Sequence, residues 1–541
     1  MPDIIHLLPD AVANQIAAGE VIQRPASAVK ELLENAIDAG ASKIHVIIKD
    51  AGKTSIQIID DGMGMTETDA RMCFEKHATS KIQEIDELFT IRTNGFRGEA
   101  LASIAAIAMV ELQTRTHDSD IGTKINIEGS TFINQEPYSC LPGTSIQVKN
   151  LFYNVPARRN FLKSDPVETR HILDEFQRIA LANSEIEFKL TSNGSEVFNL
   201  KSENLRQRVV SILGKKYNER LVPIEEKTQI ANIGGFIGKP EFAKKVRGDQ
   251  YIFVNNRFIK SAYLNHAIYS SFKNLIPSDT YPLFVVYIDI DPARIDVNVH
   301  PTKQEIKFED EKIIYTFLQA SIKHALSQYS VTPTLDFDQE VSFNTHENFG
   351  QGDSIGKNQD YNPSFHPDQL QSTNLKNWER LFKGVVQTEE QEPTIQAPFQ
   401  QNRSDSNDQT LIPDETEKPV SQLHKKYIIT QVRSGILLID QQLAHQRILF
   451  EKFGNIIKYR KPISQQSLFP QRLELSSADA VLLKEILPDI NALGFDIQEF
   501  GQLEYVIHGI PAEIVPGNEK QLIEELIDQF KANKPTWKLN R

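Results

Sequence analysis

Residues 31–40 read Glu31-Leu32-Leu33-Glu34-Asn35-Ala36-Ile37-Asp38-Ala39-Gly40. With the residues before them they predict an amphipathic helix over Pro25 to Ala39. Val29, Leu32, Leu33, Ala36 and Gly40 recur at the spacing of a core-facing stripe, and Gly40 ends the helix. Glu31, Asn35 and Asp38 recur at i, i+4 and i+7 and form a polar stripe turned away from that core. A solvated face has the same pattern. Yet Asn is a mediocre helix former, and a Glu and an Asn one turn apart suit a water on the carboxylate and a hard cation on the amide oxygen.

Working outward, Lys43 to Lys49 and Ser55 to Asp60 are β-branched and partly alternating, and Asp50-Ala51-Gly52-Lys53 between them is hairpin chemistry. The helix should therefore pack on an antiparallel sheet. Asp60-Asp61-Gly62-Met63-Gly64-Met65 follows the second strand. A carboxylate there can accept from an exocyclic amine such as that of adenine, and Gly62 and Gly64 remove side chains where a planar ligand approaches backbone. An ordinary glycine-rich turn is the rival reading. Gly95-Phe96-Arg97-Gly98-Glu99-Ala100-Leu101 leads into the Ala-rich stretch Ala100 to Met109, and a glycine turn opening a helix offers free N–H groups to a phosphate. His77-Ala78-Thr79-Ser80-Lys81 is small and polar, suiting a loop that closes over a nucleotide. Asp50 to Thr54 ends like a Walker A motif, but Ile47 stands where that pattern requires Gly, which argues against a P-loop enzyme.

The three segments, in this order and spacing, resemble the ATP-binding motifs of the GHKL (Bergerat-type) ATPases, shared by gyrase, heat-shock chaperones, sensor kinases and the MutL mismatch-repair family. Asn14-Gln15-Ile16-Ala17-Ala18-Gly19-Glu20-Val21-Ile22-Gln23-Arg24-Pro25, His77 to Lys81, Gly98 to Ser103 and Asp296-Val297-Asn298-Val299-His300-Pro301-Thr302-Lys303 are similar to the MutL branch specifically. The resemblance is strong over residues 1–330 and loose beyond.

The resemblance implies a Bergerat-type α/β sandwich ATPase domain over residues 1–215 and a second α/β domain of ribosomal-protein-like fold over 216–332 that contributes to a DNA groove. It implies an α+β C-terminal dimerisation domain over 423–541. Glu31 would polarise the attacking water, Asn35 would help hold Mg2+, Asp60 would read adenine, and Lys303 would reach from the second domain to the terminal phosphate of ATP. Asp38, Gly62, Gly64, Gly95, Phe96, Arg97, Gly98, Glu99, Ala100 and Leu101 would complete the nucleotide contacts, with Thr79, Ser80 and Thr144 as lid and phosphate supports. Phosphoryl transfer needs positioning and charge neutralisation more than covalent help, so a base, a metal and a cation suffice. The implied function is that of a mismatch-repair matchmaker: ATP binding and slow hydrolysis switch a homodimeric clamp that links mismatches detected by MutS to strand incision and excision. A chaperone- or topoisomerase-like machine on the same site, and a scaffold that binds nucleotide without hydrolysing it, are the competing readings.

Composition bounds these expectations. With 541 residues, about three domains are expected. No apolar stretch approaches the roughly 18 residues of a membrane span and Met1 to Asp10 lacks a signal pattern, so a cytoplasmic, nucleoid-associated protein is expected. Two cysteines, Cys73 and Cys140, exclude a disulfide framework and a cysteine-built structural zinc site. The net charge of −13 argues against indiscriminate nucleic-acid coating. Locally, however, Lys239 to Lys260 reverses that balance, and Lys244, Lys245, Arg247, Arg257 and Lys260 are the candidate DNA contacts, against a solvated strand-loop surface. In the same domain Tyr251 to Val254, Phe284 to Ile290 and Ile295 to Val299 read as strands and Ile313 to Tyr329 as a helix. Pro333 to Gln422 is polar and Pro-rich, and a disordered linker is expected over 333–422.

Many family members carry a metal-dependent nicking motif that runs Asp-Gln-His-Ala, two more residues, Glu-Arg. Here the run is Asp440-Gln441-Gln442-Leu443-Ala444-His445-Gln446-Arg447, with Glu451 following. Gln442 and Gln446 replace imidazole and carboxylate at expected ligand positions, and neutral amides are poor ligands for zinc or manganese. The chain stops at Arg541 after a helix-like stretch, Glu519 to Ala532, so a truncated or divergent C-terminal domain without a complete nuclease site is expected. Gln465-Gln466-Ser467-Leu468-Phe469-Pro470 resembles the family's sliding-clamp peptide, with Gln465, Leu468, Phe469 and Pro470 as contacts; an edge strand ending at Pro470 is the equal alternative.

Overall fold

A computed structural model of the chain describes residues 10–81, 95, 98–245, 247–296, 304–331, 420–432, 435–459, 464–501, 503–514 and 517–532. Phe96, Arg97, Lys303, most of the strand read over Ile295 to Val299 and nearly all of the linker expected over 333–422 lie outside them. The chain divides into two compact units, residues 1–334 with 442–541, and residues 335–441.

The first unit opens with α1 (Asp10–Val21), α2 (Pro25–Asp38), β1 (Lys43–Lys49), β2 (Ser55–Asp60), α3 (Glu67–Met72), α4 (Ala100–Ile107), β3 (Met109–Arg115), β4 (Gly122–Glu128), β5 (Thr131–Tyr138) and β6 (Gly143–Lys149). It continues with α5 (Pro156–Phe161), α6 (Asp165–Ala182), β7 (Glu187–Ser192), β8 (Ser195–Leu200) and α7 (Leu205–Leu213). The strands form one eight-stranded sheet in the order β5-β4-β3-β6-β2-β1-β7-β8. Every neighbouring pair is antiparallel except β1 with β7, the junction the crossover through α6 creates. Alternation in β1 drives its packing: Ile44, Val46 and Ile48 are buried and share a core with Val29, Leu32, Leu33 and Ala36 of α2. The sheet thus holds α2 by its apolar stripe and leaves the polar stripe facing the opposite way.

A second sheet, ordered β12-β11-β13-β10-β9, is built from β9 (Leu221–Lys227), β10 (Ala231–Gly238), β11 (Gln250–Val254), β12 (Arg257–Phe258) and β13 (Phe284–Ile290). Helices α8 (Ala262–Phe272) and α9 (Glu311–Val331) bury Leu264, Ile268, Phe272, Ile314, Leu318 and Ile322 in a core of its own, and the short pair β14 (Ile295–Asp296) and β15 (Lys307–Phe308) lies beside it. This sheet meets α6 through the Tyr287 hydroxyl, which donates to Leu181 O at 2.7 Å, and through the Arg178 guanidinium, 4.4 Å over the Phe258 ring.

In the second unit β16 (Val420–Leu423), β17 (Tyr427–Val432) and β18 (Gly435–Asp440) form an antiparallel sheet. Within the first unit, β19 (Ser464–Glu474), β20 (Asp496–Glu499) and β21 (Glu504–Pro511) pair in the order β19-β21-β20 and pack on the helices Ser477–Ala492 and Glu519–Ala532. The edge strand read as ending at Pro470 runs on to Glu474. A register shift between Gln466 and Gln471 bulges the segment, which removes the ladder hydrogen bond Pro470 cannot make and leaves Leu468 and Phe469 exposed.

Candidate nucleotide-binding site

Helix α2 starts at Pro25, whose missing N–H costs nothing at a first helical position, and it ends as Ala41 N donates back to Ala36 O across Gly40 at φ 73°. Gly40 ends the helix as expected, as a left-handed cap, but it is exposed and takes no part in the core stripe. The polar stripe is not a solvated face. Glu31, Glu34 and Asp38 keep only 17%, 12% and 5% of their side-chain surface in water. Buried carboxylates persist only when partnered, and the partners are specific. Asp38 Oδ2 accepts from Gly95 N at 3.0 Å and from Lys81 Nζ at 2.6 Å, while Asn35 Oδ1 accepts from the same Lys81 Nζ at 2.9 Å. Two oxygens one turn apart on a helix thus converge on one positive charge.

The aspartates after β2 divide their work. Asp61 accepts from Ser42 N, Ser42 Oγ and Lys43 N at 2.5–2.8 Å, pinning the start of β1. Asp60 Oδ1 accepts from Gly62 N at 3.0 Å, the Thr144 backbone N–H also bonds the carboxylate, and burial outweighs both and pushes its carboxyl up to about 6. A buried, raised carboxylate with acceptor capacity to spare suits an amine donor. Packing within the protein by itself requires glycine in this turn. Gly64 sits at φ 70°, and a Cβ there would lie 2.0 Å from Arg115 O. Thr144, expected with the lid and phosphate supports, sits opposite Asp60 in the β2–β6 register, and its hydroxyl is 3.1 Å from that of Thr114. Sheet pairing therefore assigns it to the Asp60 end.

The third segment joins the lid loop. Gly98 has φ 61°, and a Cβ would lie 2.5 Å from Ala78 O, while His77 N donates to Gly98 O at 3.0 Å. Ala100 opens α4, Leu101 packs on the main core, and Glu99 precedes them 3.7 Å from the His77 ring. Thr79 and Ser80 are exposed, and the Thr79 hydroxyl accepts from Lys81 N at 3.1 Å. Both later segments are thus tied to α2: Met63 N donates to Ala39 O at 3.0 Å at its end, and Gly95 N donates to Asp38 on its polar stripe.

The basic residues of the second sheet differ in exposure and partners. Lys244 is half-buried between Asp249 and Asp528, 3.2 Å from each. Arg257 lies in a cleft lined also by Lys30, Glu34, Glu175, Arg178 and Gln304. Lys245, Arg247 and Lys260 are exposed, with Arg247 4.9 Å from the Tyr281 ring. Lys260 belongs with Arg24, Arg170 and Arg178 to the cations that, after burial itself, push the His171 imidazole down to about 3. Two residues that the sequence reading passed over belong to the site. Lys81 was visible only as the end of the lid motif, and Lys30 only as an i,i+4 partner of Glu34. Among the described residues no three His, Cys, Asp or Glu side chains gather to hold a metal ion, and no helix is long and apolar enough to cross a membrane.

Residues 23–154 match the family described as "Histidine kinase-, DNA gyrase B-, and HSP90-like ATPase", residues 209–327 "DNA mismatch repair protein, C-terminal domain", and residues 420–540 "MutL C terminal dimerisation domain". The chain is 50% identical over 550 residues to a "DNA mismatch repair protein MutL" of Christiangramia forsetii, covering 99% of this chain and 89% of that protein. It is 48% identical over 551 residues to the protein of the same description from Flavobacterium psychrophilum, with coverage of 99% and 89%. In fold, its N-terminal part is similar to a solved "N terminal domain of a DNA repair protein", at 24% identity and TM-score 0.50, over 59% of this chain and 98% of that one.

Proposed function

The chain belongs to the MutL family of DNA mismatch repair proteins, and on that premise we propose that it works there as an ATP-driven switch, with Glu31, Asn35, Asp38 and Asp60 as its working residues. The observation that carries this reading is the convergence of Asn35 Oδ1 and Asp38 Oδ2 on one cation, 2.6–2.9 Å away, on the same helix as the half-buried Glu31. Here the Lys81 ammonium supplies that positive charge. Hard oxygen donors at this spacing fit Mg2+, which favours one or two protein oxygens completed by phosphates. Asn35 and Asp38 would hold the ion, and it would neutralise charge on the phosphates of bound ATP.

The remaining steps fall to the chain itself. Asp60 accepts from the adenine amine, and the Gly95–Gly98 turn at the start of α4 receives phosphate oxygens. Glu31 orients the attacking water and takes its proton. Lys303 remains the expected contact to the terminal phosphate from the second domain. For DNA, the exposed Lys245, Arg247 and Lys260 are the better contacts, because Lys244 and Arg257 are committed to acidic surroundings. Dimerisation through the C-terminal region would cover exposed apolar side chains such as Leu443, Ile448 and Phe450 of the helix Gln441–Tyr459. The exposed Leu468 and Phe469 bulge would face a sliding clamp. In this reading MutS is the upstream partner. Gln442 and Gln446 offer amides where a nicking site needs metal ligands, so ATP hydrolysis rather than nicking is the activity assigned to the chain.

Glu31→Ala tests the central claim. ATP turnover, measured with and without single-stranded DNA, should be lost while calorimetric ATP binding persists. Unchanged turnover removes Glu31 as the base.

A further inference from the structure

Lys30, immediately before Glu31, points its ammonium at two carboxylates. Nζ lies 3.1 Å from Glu31 Oε1 and 2.9 Å from Glu34 Oε1. An i,i+4 lysine pair on a helix surface is normally screened by water and holds nothing in place. Here all three side chains are at least four-fifths covered, with 16%, 17% and 12% of their surfaces exposed. In that setting opposite charges attract strongly and the long side chains lose their alternative rotamers. Burial alone would lower the Lys30 pKa, but Glu34 and Glu31 outweigh it and hold it well above the usual lysine value, so the ammonium stays charged.

The cover comes from two directions. Glu175 and Arg178 of α6 line the cleft on one side. The β11–β12 hairpin closes the other, its Asn255 and Asn256 at φ 47° and 64° turning the chain so that Arg257 enters the same cleft. Asn255 fastens that turn to β13, donating to Ile290 O and accepting from Ile290 N, both at 2.9 Å. Arg257 is attracted first by Glu34, then by Asp38 and Glu31. Glu34 thus faces a lysine of its own helix and an arginine of the second sheet.

We propose that Lys30 is a positioning residue for ATP hydrolysis: its ammonium, braced by Glu34 against the second sheet, holds the Glu31 carboxylate in the orientation that polarises water. This rests on the reading of Glu31 as the base. A carboxylate on a flexible side chain must be aimed before it can take a proton in flight, and small misplacements cost rate rather than affinity. Among the described residues Lys30 pairs with Glu31 and Glu34, neither of which is assigned to adenine or phosphate.

The test is steady-state ATP hydrolysis and calorimetric ATP binding on the full chain carrying Lys30→Met, Lys30→Arg or Glu34→Gln. Lys30→Met should lower kcat about 10- to 100-fold, the scale of a misaimed group, with the ATP Kd moved less than about threefold. Lys30→Arg, which keeps the charge, should recover most of kcat. Glu34→Gln, which keeps Lys30 and the fold but loosens its brace, should lower kcat by a smaller factor at unchanged Kd. Parallel losses of kcat and affinity, no recovery with arginine, or a Glu34→Gln kcat equal to that of the unmodified chain would overturn the proposal. Should Glu31→Ala itself retain turnover, the fault lies in the base assignment; a dead Glu31→Ala beside a fully active Lys30→Met condemns only the positioning role.

Discussion

Replacing Asp60 by Asn leaves the shape of the site nearly unchanged and inverts one hydrogen bond. Asp60 Oδ1 accepts from Gly62 N at 3.0 Å. An asparagine that keeps this bond must turn its NH2 to the place of the other carboxylate oxygen. An adenine amine arriving there meets a donor where it needs an acceptor. A hydrogen bond to a charged acceptor contributes about 1.5–3 kcal/mol, and at about 1.4 kcal/mol per factor of ten its loss weakens ATP binding about 10- to 150-fold. At saturating ATP, kcat should hold, because Asp60 touches no reacting phosphate in this reading. Acidity provides a second handle. Burial raises the Asp60 carboxyl to about 6, so a proton competes with the amine as pH falls through that value. Affinity should be full above about pH 7 and decline towards about pH 5, and Asp60→Asn should lack that decline. Calorimetric titration with ATP across this range reads both effects. An asparagine variant binding ATP within about twofold of the unmodified chain, a difference under about 0.5 kcal/mol, would refute the assignment of Asp60 to the adenine amine.

Three further outcomes follow from particular contacts. Arg208 of α7 is fully buried, and its guanidinium donates to Ala180 O, Asn183 O, Ser184 O, Ile186 O and Lys201 O at 2.8–3.0 Å. Arg208→Met strands those carbonyls at about 1–3 kcal/mol each, so destabilisation above about 4 kcal/mol is expected in thermal unfolding; a change below about 1 kcal/mol would contradict the burial. Gly98→Ala must place a Cβ 2.5 Å from Ala78 O at φ 61°, so it should separate the lid loop from the phosphate turn and reduce ATP affinity, with an unaltered Kd as the contrary result. Lys245→Glu with Arg247→Glu should weaken DNA retention and flatten its salt dependence by roughly 1.4 to 1.8 in log–log slope if both contact phosphates, at about 0.7 to 0.9 per contact; filter binding across a salt series would show no flattening if they do not.

Much of the fold around the site was legible because its signals are local. The strands read over Lys43 to Lys49 and Ser55 to Asp60 and the helix read over Glu519 to Ala532 have those same bounds in the structure, and α2 stops one residue before the expected end. Period and turn chemistry act between near neighbours, so a single chain displays them. The extension of β19 past Pro470 was hidden because a bulge depends on the partner strand.

The amino-acid sequence alone determined which residue types could serve a nucleotide: a carboxylate and an amide on one helical stripe, an aspartate closing a strand, and glycines before a helix. Their order along the chain also identified the family. Tertiary structure decided which of them are in water and what they face. It set Thr144 opposite Asp60, turned Lys244 to Asp528 and Arg257 to Glu34, and enclosed Lys30 beside Glu31. Charge and composition are properties of the chain, but the strength of a charge pair depends on the water excluded around it, and that exclusion exists only once α6 and the β11–β12 hairpin have packed against α2.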